Sequence, residues 1–161
     1  MVVQDIVLET LRGQKRFSIT APEETGQVFR RLMTAAPQAP GLEIIKKTGN
    51  ELGVDGVLVG YVFRYRERKG RWYSAEKPAS VAFDFHLVRV SDGAIIWNGA
   101  FDRVQESLTE NLFHLTFYRK WGIKWVTARE LSEEGVATIM KTFPGLIKEG
   151  GILTDDYHTG D

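Results

Sequence analysis

Apolar residues near the start of the chain recur at Val3, Ile6, Val7 and Leu11, the spacing of one helical face, and Gly13 closes the run. The spacing predicts a helix over 2–12, followed by a short strand from Arg16 to Thr20. Pro22 suits the first turn of a second helix, with Thr20 or Ala21 near its cap and Val28, Phe29 and Leu32 facing inward. Pro37-Gln38-Ala39-Pro40-Gly41 ends that helix, because proline lacks the amide donor and restricts the residue before it. A third helix is expected from Leu42 to Leu52. Gly53 can take the left-handed conformation that terminates it, and Val57 to Val62 then supply β-branched residues suited to a buried strand.

From there the period changes to two. Val57, Val59, Tyr61, Phe63 and Tyr65 alternate with Leu58, Gly60, Val62, Arg64 and Arg66, which predicts a strand buried on both faces at its start and half exposed at its end. The charged segment Arg66 to Pro78, with Gly70 inside it, reads as a long exposed hairpin connection carrying Trp72 and Tyr73 at its tip. Two further strands, about Ala79 to Val90 and Ala94 to Gln105, flank Ser91-Asp92-Gly93. A three-residue loop with Gly93 at positive φ pairs Val90 with Ala94, and sets Leu87 opposite Trp97, Phe85 opposite Gly99 and Phe83 opposite Phe101. A two-residue loop would shift the pairing by one and set Phe83 and Phe85 beside Asn98 and Asp102, so the longer loop is the better reading.

Thr109 can cap a helix through Glu110 to Tyr118. Thr127-Ala128-Arg129-Glu130 is a capping-box pattern opening a last helix, with Leu131, Val136, Ile139, Met140 and Phe143 on its buried side and Pro144-Gly145 at its end. The resulting expectation is an α/β fold: one domain over 1–147, with a mixed, largely antiparallel sheet of about four strands, a β-meander and packed helices. Residues 148–161 read as a flexible tail.

The chain has 161 residues, 43% of them hydrophobic, enough for one domain with a core that needs no staples. Lys plus Arg and Asp plus Glu number 21 each, so no global field draws nucleic acid or an anionic membrane, and no nucleic-acid partner is expected. The absence of cysteine excludes disulfides, thiolate metal sites and cysteine nucleophiles. No run approaches the roughly 20 apolar residues of a membrane helix. The abrupt helical start raises the expectation that a leader and a first strand precede Met1 in a longer precursor. A sheet edge left by that strand would suit a homo-oligomer.

Three groups of residues are candidates for function. Phe113, Phe117, Tyr118, Trp121 and Trp125, interleaved with Arg119, Lys120 and Lys124, combine aromatic bodies with basic rims. That pattern fits a protein interface or a membrane headgroup layer, and packing over the sheet explains it equally well. Trp72 and Tyr73 on the basic arm Arg64 to Tyr73 form a second group, read as a solvated hairpin arm in preference to a site that stacks single-stranded nucleic acid. Asp84 and His86 share one strand face, with Asn98 opposite His86 and Asp102 opposite Ala82, a set able to bind a small ligand or a divalent ion. An exposed polar face is the simpler account of it, and no compact ligand motif supports a metal. His114 reads as packing, and His158 lies in the tail. No nucleophile elbow or phosphate-binding glycine loop is present, so neither catalysis nor a cofactor is expected.

The order of elements and the pattern Gly53-x-Asp55-x-Val57-x-x-Gly60-x-Val62, with the hairpin Asp92-Gly93-Ala94-Ile95-Ile96-Trp97, resembles a group of bacterial envelope lipoproteins. The group includes the CsgG, LpoB and PelC families, the amino-terminal domain of TolB, and auxiliary lipoproteins of transport systems. A closer resemblance, to an uncharacterised proteobacterial lipoprotein group, lies in Pro78-Ala79-Ser80-Val81-Ala82-Phe83-Asp84, Glu106-Ser107-Leu108-Thr109-Glu110-Asn111-Leu112 and Trp125-Val126-Thr127-Ala128-Arg129-Glu130-Leu131. The resemblance implies a non-enzymatic accessory on the periplasmic side of the cell envelope, serving as scaffold or partner-binding domain for envelope proteins, in an export or transport assembly. The lipidated cysteine through which such proteins are anchored has no counterpart in this chain, so membrane association would need an anchor outside it.

Overall fold

The computed structural model describes residues 2–14, 16–71, 74–105 and 126–145. Three helices come first: α1 (Val2–Arg12), α2 (Pro22–Ala35) and α3 (Gly41–Leu52). The strands are β1 (Gly56–Arg66), β2 (Lys69–Arg71), β3 (Ser74–Lys77), β4 (Ser80–Arg89) and β5 (Ile95–Val104). Helix α4 (Ala128–Ile139) follows and continues into a single 3-10 turn, Met140–Thr142. Among the described residues no helix is long and apolar enough to cross a membrane. The result is an α/β domain with an open antiparallel sheet in the order β1-β4-β5 and a separate β2-β3 ribbon.

The helical face predicted for α1 is the one that packs: Val3, Ile6, Val7 and Leu11 are all buried. They meet Leu131, Val136 and Ile139 of α4 and the aromatic side of the sheet, where Phe83 lies against Phe101 and Phe85 at centroid distances of 5.5 and 5.6 Å. Trp97 sets its ring edge-on to Phe143 at 4.8 Å, and its indole N–H donates to Thr142 Oγ1 at 3.0 Å, so a large ring is buried with its polar atom satisfied. The capping box opens α4: the Glu130 amide donates to Thr127 Oγ1 (3.1 Å) and the Thr127 amide to Glu130 Oε2 (2.7 Å). Met140 and Phe143 are buried as expected, but in the 3-10 turn and just after it.

Helix α3 covers part of the other sheet face. Gly53, at φ 64°, closes it, and the Val54 amide reaches back to the Gly49 carbonyl at 3.0 Å, satisfying an end carbonyl. Gly49 sits so close to the sheet that a Cβ there would stand 2.3 Å from Val90 Cγ2 and 3.0 Å from Val57 Cγ2. Helix α2 forms an outer layer on α3, and its Val28, Phe29 and Leu32 are half-buried.

Three local expectations are corrected. Arg16 to Thr20 is not a strand: Phe17 docks edge-on against Phe143 at 5.8 Å and Ile19 packs on the core, so the segment is held by side chains without a ladder. β1 is not buried on both faces. It pairs only with β4 among the described residues, and the most buried strand is the central β4. The β4-β5 register holds as derived for Leu87-Trp97, Phe85-Gly99 and Phe83-Phe101, but the turn closes differently. A bulge at Ile96 brings Val88 opposite Ile95, the Arg89 amide donates to the Ala94 carbonyl at 2.9 Å, and Val90 instead donates to Asp55 at 2.9 Å. One extra loop residue and one bulge residue cancel, which is why the sheet body keeps the predicted pairing.

Candidate functional site

Register alone defines the sheet face opposite α1 and α4. Across it run three rows: Val59-His86-Asn98, Tyr61-Asp84-Ala100 and Arg64-Ala82-Asp102. The β1 register slips between Val62 and Arg64, so Phe63 is a bulge residue, and bulges re-aim side chains. Here the Phe63 ring stacks on Tyr61 at 6.3 Å with an interplanar angle of 15°. Phe63 is 70% exposed and Tyr61 53%, an aromatic pair in solvent on an edge strand.

Polar groups line the rows beside that pair. His86 Nε2 lies 3.3 Å from Asp84 Oδ2, and Tyr61 meets the imidazole edge-on at 6.5 Å. Asp84 Oδ1, His86 Nδ1 and Arg64 Nε are buried without hydrogen-bond partners among the described residues, which is uncommon, because buried polar atoms are almost always paired. Arg64 Nη2 donates to Asp102 Oδ1 across the small Ala82, whose side chain leaves the guanidinium room to pass. An imidazole nitrogen, a carboxylate oxygen and a guanidinium N–H are groups that hydrogen-bond a small polar molecule or water, but all three atoms are closed to solvent, so a ligand reaches them only if neighbouring side chains move.

The face brings Asp84, His86, Asn98 and Asp102 together as the register predicted, yet Asp102 is taken by Arg64. Among the described residues no group of three His, Cys, Asp or Glu side chains is placed to hold a metal ion. The basic-aromatic arm is also divided. Arg64 turns to Asp102, while Tyr65 Oη donates to Glu67 Oε1 at 3.2 Å; burial and the Glu67 charge raise the Tyr65 pKa above its ordinary value. Glu67 Oε2 further accepts the Ala128 amide at 3.1 Å, which ties the base of the arm to the N-terminus of α4.

Trp72, Tyr73, Phe113, Phe117, Tyr118, Trp121 and Trp125 lie outside the described residues, as do His114, His158, the helix expected over 109–118 and the tail. Tyr61 and Phe63 were not singled out by sequence, although their aromatic character on an alternating strand was visible. The bulge that exposes Phe63 leaves no mark in a single sequence.

The fold defines an α/β domain whose antiparallel sheet, among the described residues, is covered by α1 and α4 on one face and only in part by α3 on the other. No family model matches the chain, and no curated protein matches it. Among solved structures it is similar to the PelC dodecamer from Paraburkholderia phytofirmans, at 16% identity over 74% of each chain and a TM-score of 0.40. A point variant of the same dodecamer aligns at 17% identity, again over 74% of each chain, with a TM-score of 0.39. A likeness at that level says nothing about the residues of a site.

Proposed function

We propose that this protein is a non-enzymatic accessory module of the bacterial cell envelope that acts by holding a protein partner. The association is carried by one observation: the stacked Tyr61-Phe63 pair stands in solvent at a bulge of an edge strand, where apolar area is available to a partner. The envelope setting is supported by the resemblance of the Gly53 to Val62 junction and the Asp92 to Trp97 hairpin to envelope lipoproteins. Phe113, Phe117, Tyr118, Trp121, Trp125, Trp72 and Tyr73 belong to this reading on sequence grounds alone. The test is a photo-cross-linking residue at position 63 of the full-length protein in its native cell, with one at exposed Glu23 as control. An adduct in the envelope fraction, specific to position 63 and lost in Tyr61→Ser, is expected. Recovery in the cytosol alone, or equal adducts from both positions, would overturn the reading.

A second reading keeps the Asp84-His86 face as a small-ligand site, favoured by the three buried atoms there that have no partner among the described residues. Zinc calorimetry separates its metal version: heat at micromolar zinc that disappears in Asp84→Asn supports it, and silence removes it.

A further inference from the structure

We infer that β5 pairs edge to edge with β5 of a second copy of this chain, around a two-fold axis through Ala100, to join the two three-stranded sheets into one continuous sheet. This rests on the association reading above but uses a different strand from the Tyr61-Phe63 pair. The Gln105 amide donates to the Ala79 carbonyl at 2.9 Å, in register with Val81-Arg103 and Phe83-Phe101. Hydrogen-bonded pairs alternate with non-bonded pairs along an antiparallel ladder. Trp97, Gly99, Phe101 and Arg103 therefore turn their backbone groups to β4, whereas Asn98, Ala100, Asp102 and Val104 turn theirs to the outer edge. Among the described residues nothing pairs with that edge. The opposite edge is blunted by the Phe63 bulge and by Arg64 and Arg66, devices that discourage pairing. The β5 bulge lies at its start, so 97–104 runs unbroken and without proline.

Symmetry then selects the register. A two-fold axis perpendicular to the sheet keeps like faces together, so it must pass through one residue that meets itself. Centred on Asp102, it would oppose two carboxylates; centred on Gly99, it would set Ile96 against Asp102; centred on Phe101, it would set Asn98 against Val104. Centred on Ala100, it places Asn98 opposite Asp102 of the second copy, where the Asn98 amide can donate to the carboxylate oxygen that Arg64 leaves open. It also places Gly99 opposite Phe101, and brings Val104 to the bulge at Ile96, two apolar side chains 46% and 43% exposed in the single chain. Helix α4 overlies both β4 and β5. The two α4 helices would stand about two strand spacings apart, roughly 10 Å, which is close to the usual distance between packed helices.

The chain has no cysteine, so Ala100→Cys introduces a single thiol. Hydrogen-bonded antiparallel partners lie about 5.5 Å apart at Cα, within disulfide range. Mild oxidation is expected to convert Ala100→Cys to a covalent dimer. Asn98→Cys alone should stay monomeric on a denaturing gel, while Asn98→Cys with Asp102→Cys should cross-link. Light scattering is expected to give twice the one-chain mass for the unmodified protein and the one-chain mass for Ala100→Pro, which removes an amide that does not face β4. A monomer at high concentration, with no cross-link in Ala100→Cys, overturns the pairing. An oligomer that forms without that cross-link also overturns it, but leaves the association reading standing.

Discussion

Gly135 of α4 lies directly under the ring of Phe101: a Cβ at Gly135 would stand 2.6 Å from Phe101 Cδ1 and 2.8 Å from Phe83 Cζ. The helix can approach the sheet this closely only because that side chain is missing. Gly135→Ala gains about 1 kcal/mol of helix propensity, but overpacking against two rings costs about 1–3 kcal/mol. Net destabilisation of roughly 1 kcal/mol is expected in denaturant unfolding. Gly26→Ala in α2 meets only the flexible end of Arg30, at 3.2 Å, and is expected to stabilise by about 0.5–1 kcal/mol.

The two sheet faces should respond differently to loss of an aromatic ring. Phe83, 1% exposed between β1 and β5, is expected to cost about 3–5 kcal/mol on truncation to alanine. Phe63→Ser should change stability by no more than about 0.5 kcal/mol, because its ring is in solvent. Equal losses in parallel chemical melts would show that Phe63 is core and unavailable to a partner.

At the start of α4, three amide groups are satisfied by side chains: Thr127, Ala128 and Glu130, through Glu130, Glu67 and Thr127 respectively. Thr127→Ala should lower stability by about 1 kcal/mol, and Thr127→Ser should retain most of it. Hydrogen exchange at Glu130 reports the same loss locally.

Acid should loosen the β4-β5 turn only well below the ordinary carboxylate range. Hydrogen bonds from Arg89 (3.0 and 2.6 Å), then from the Ala94 amide (3.0 Å), hold the Asp92 carboxyl well below the ordinary carboxylate range. A depressed folded pKa means that the contribution to stability is complete above the unfolded value, near 3.8, and is lost as pH falls through the folded one. NMR titration should find Asp92 ionised where ordinary aspartates have protonated, and Arg89→Gln should move its midpoint upward.

The four described helices, the capping box, Gly53 and most of the β4-β5 register were legible because each is written within a few residues: a 3.6 period, a threonine three positions before a glutamate, a turn glycine. The alternation of β1 was legible too, but its burial was not, since a run of Val57 to Val62 reads the same at the edge of a sheet as at its centre. Strand order placed β4 in the middle, and strand order depends on contacts far apart in sequence. The site followed the same division. Asp84 and His86 share a face by period alone, and the register sets Asn98 and Asp102 beside them. Only the folded sheet decided that Ala82 leaves Arg64 room to take Asp102, that Phe17 docks on Phe143 without forming a strand, and that a bulge sends Phe63 into solvent beside Tyr61. Local patterns determine elements and faces; which face meets water is set by packing between elements, a property of the whole chain.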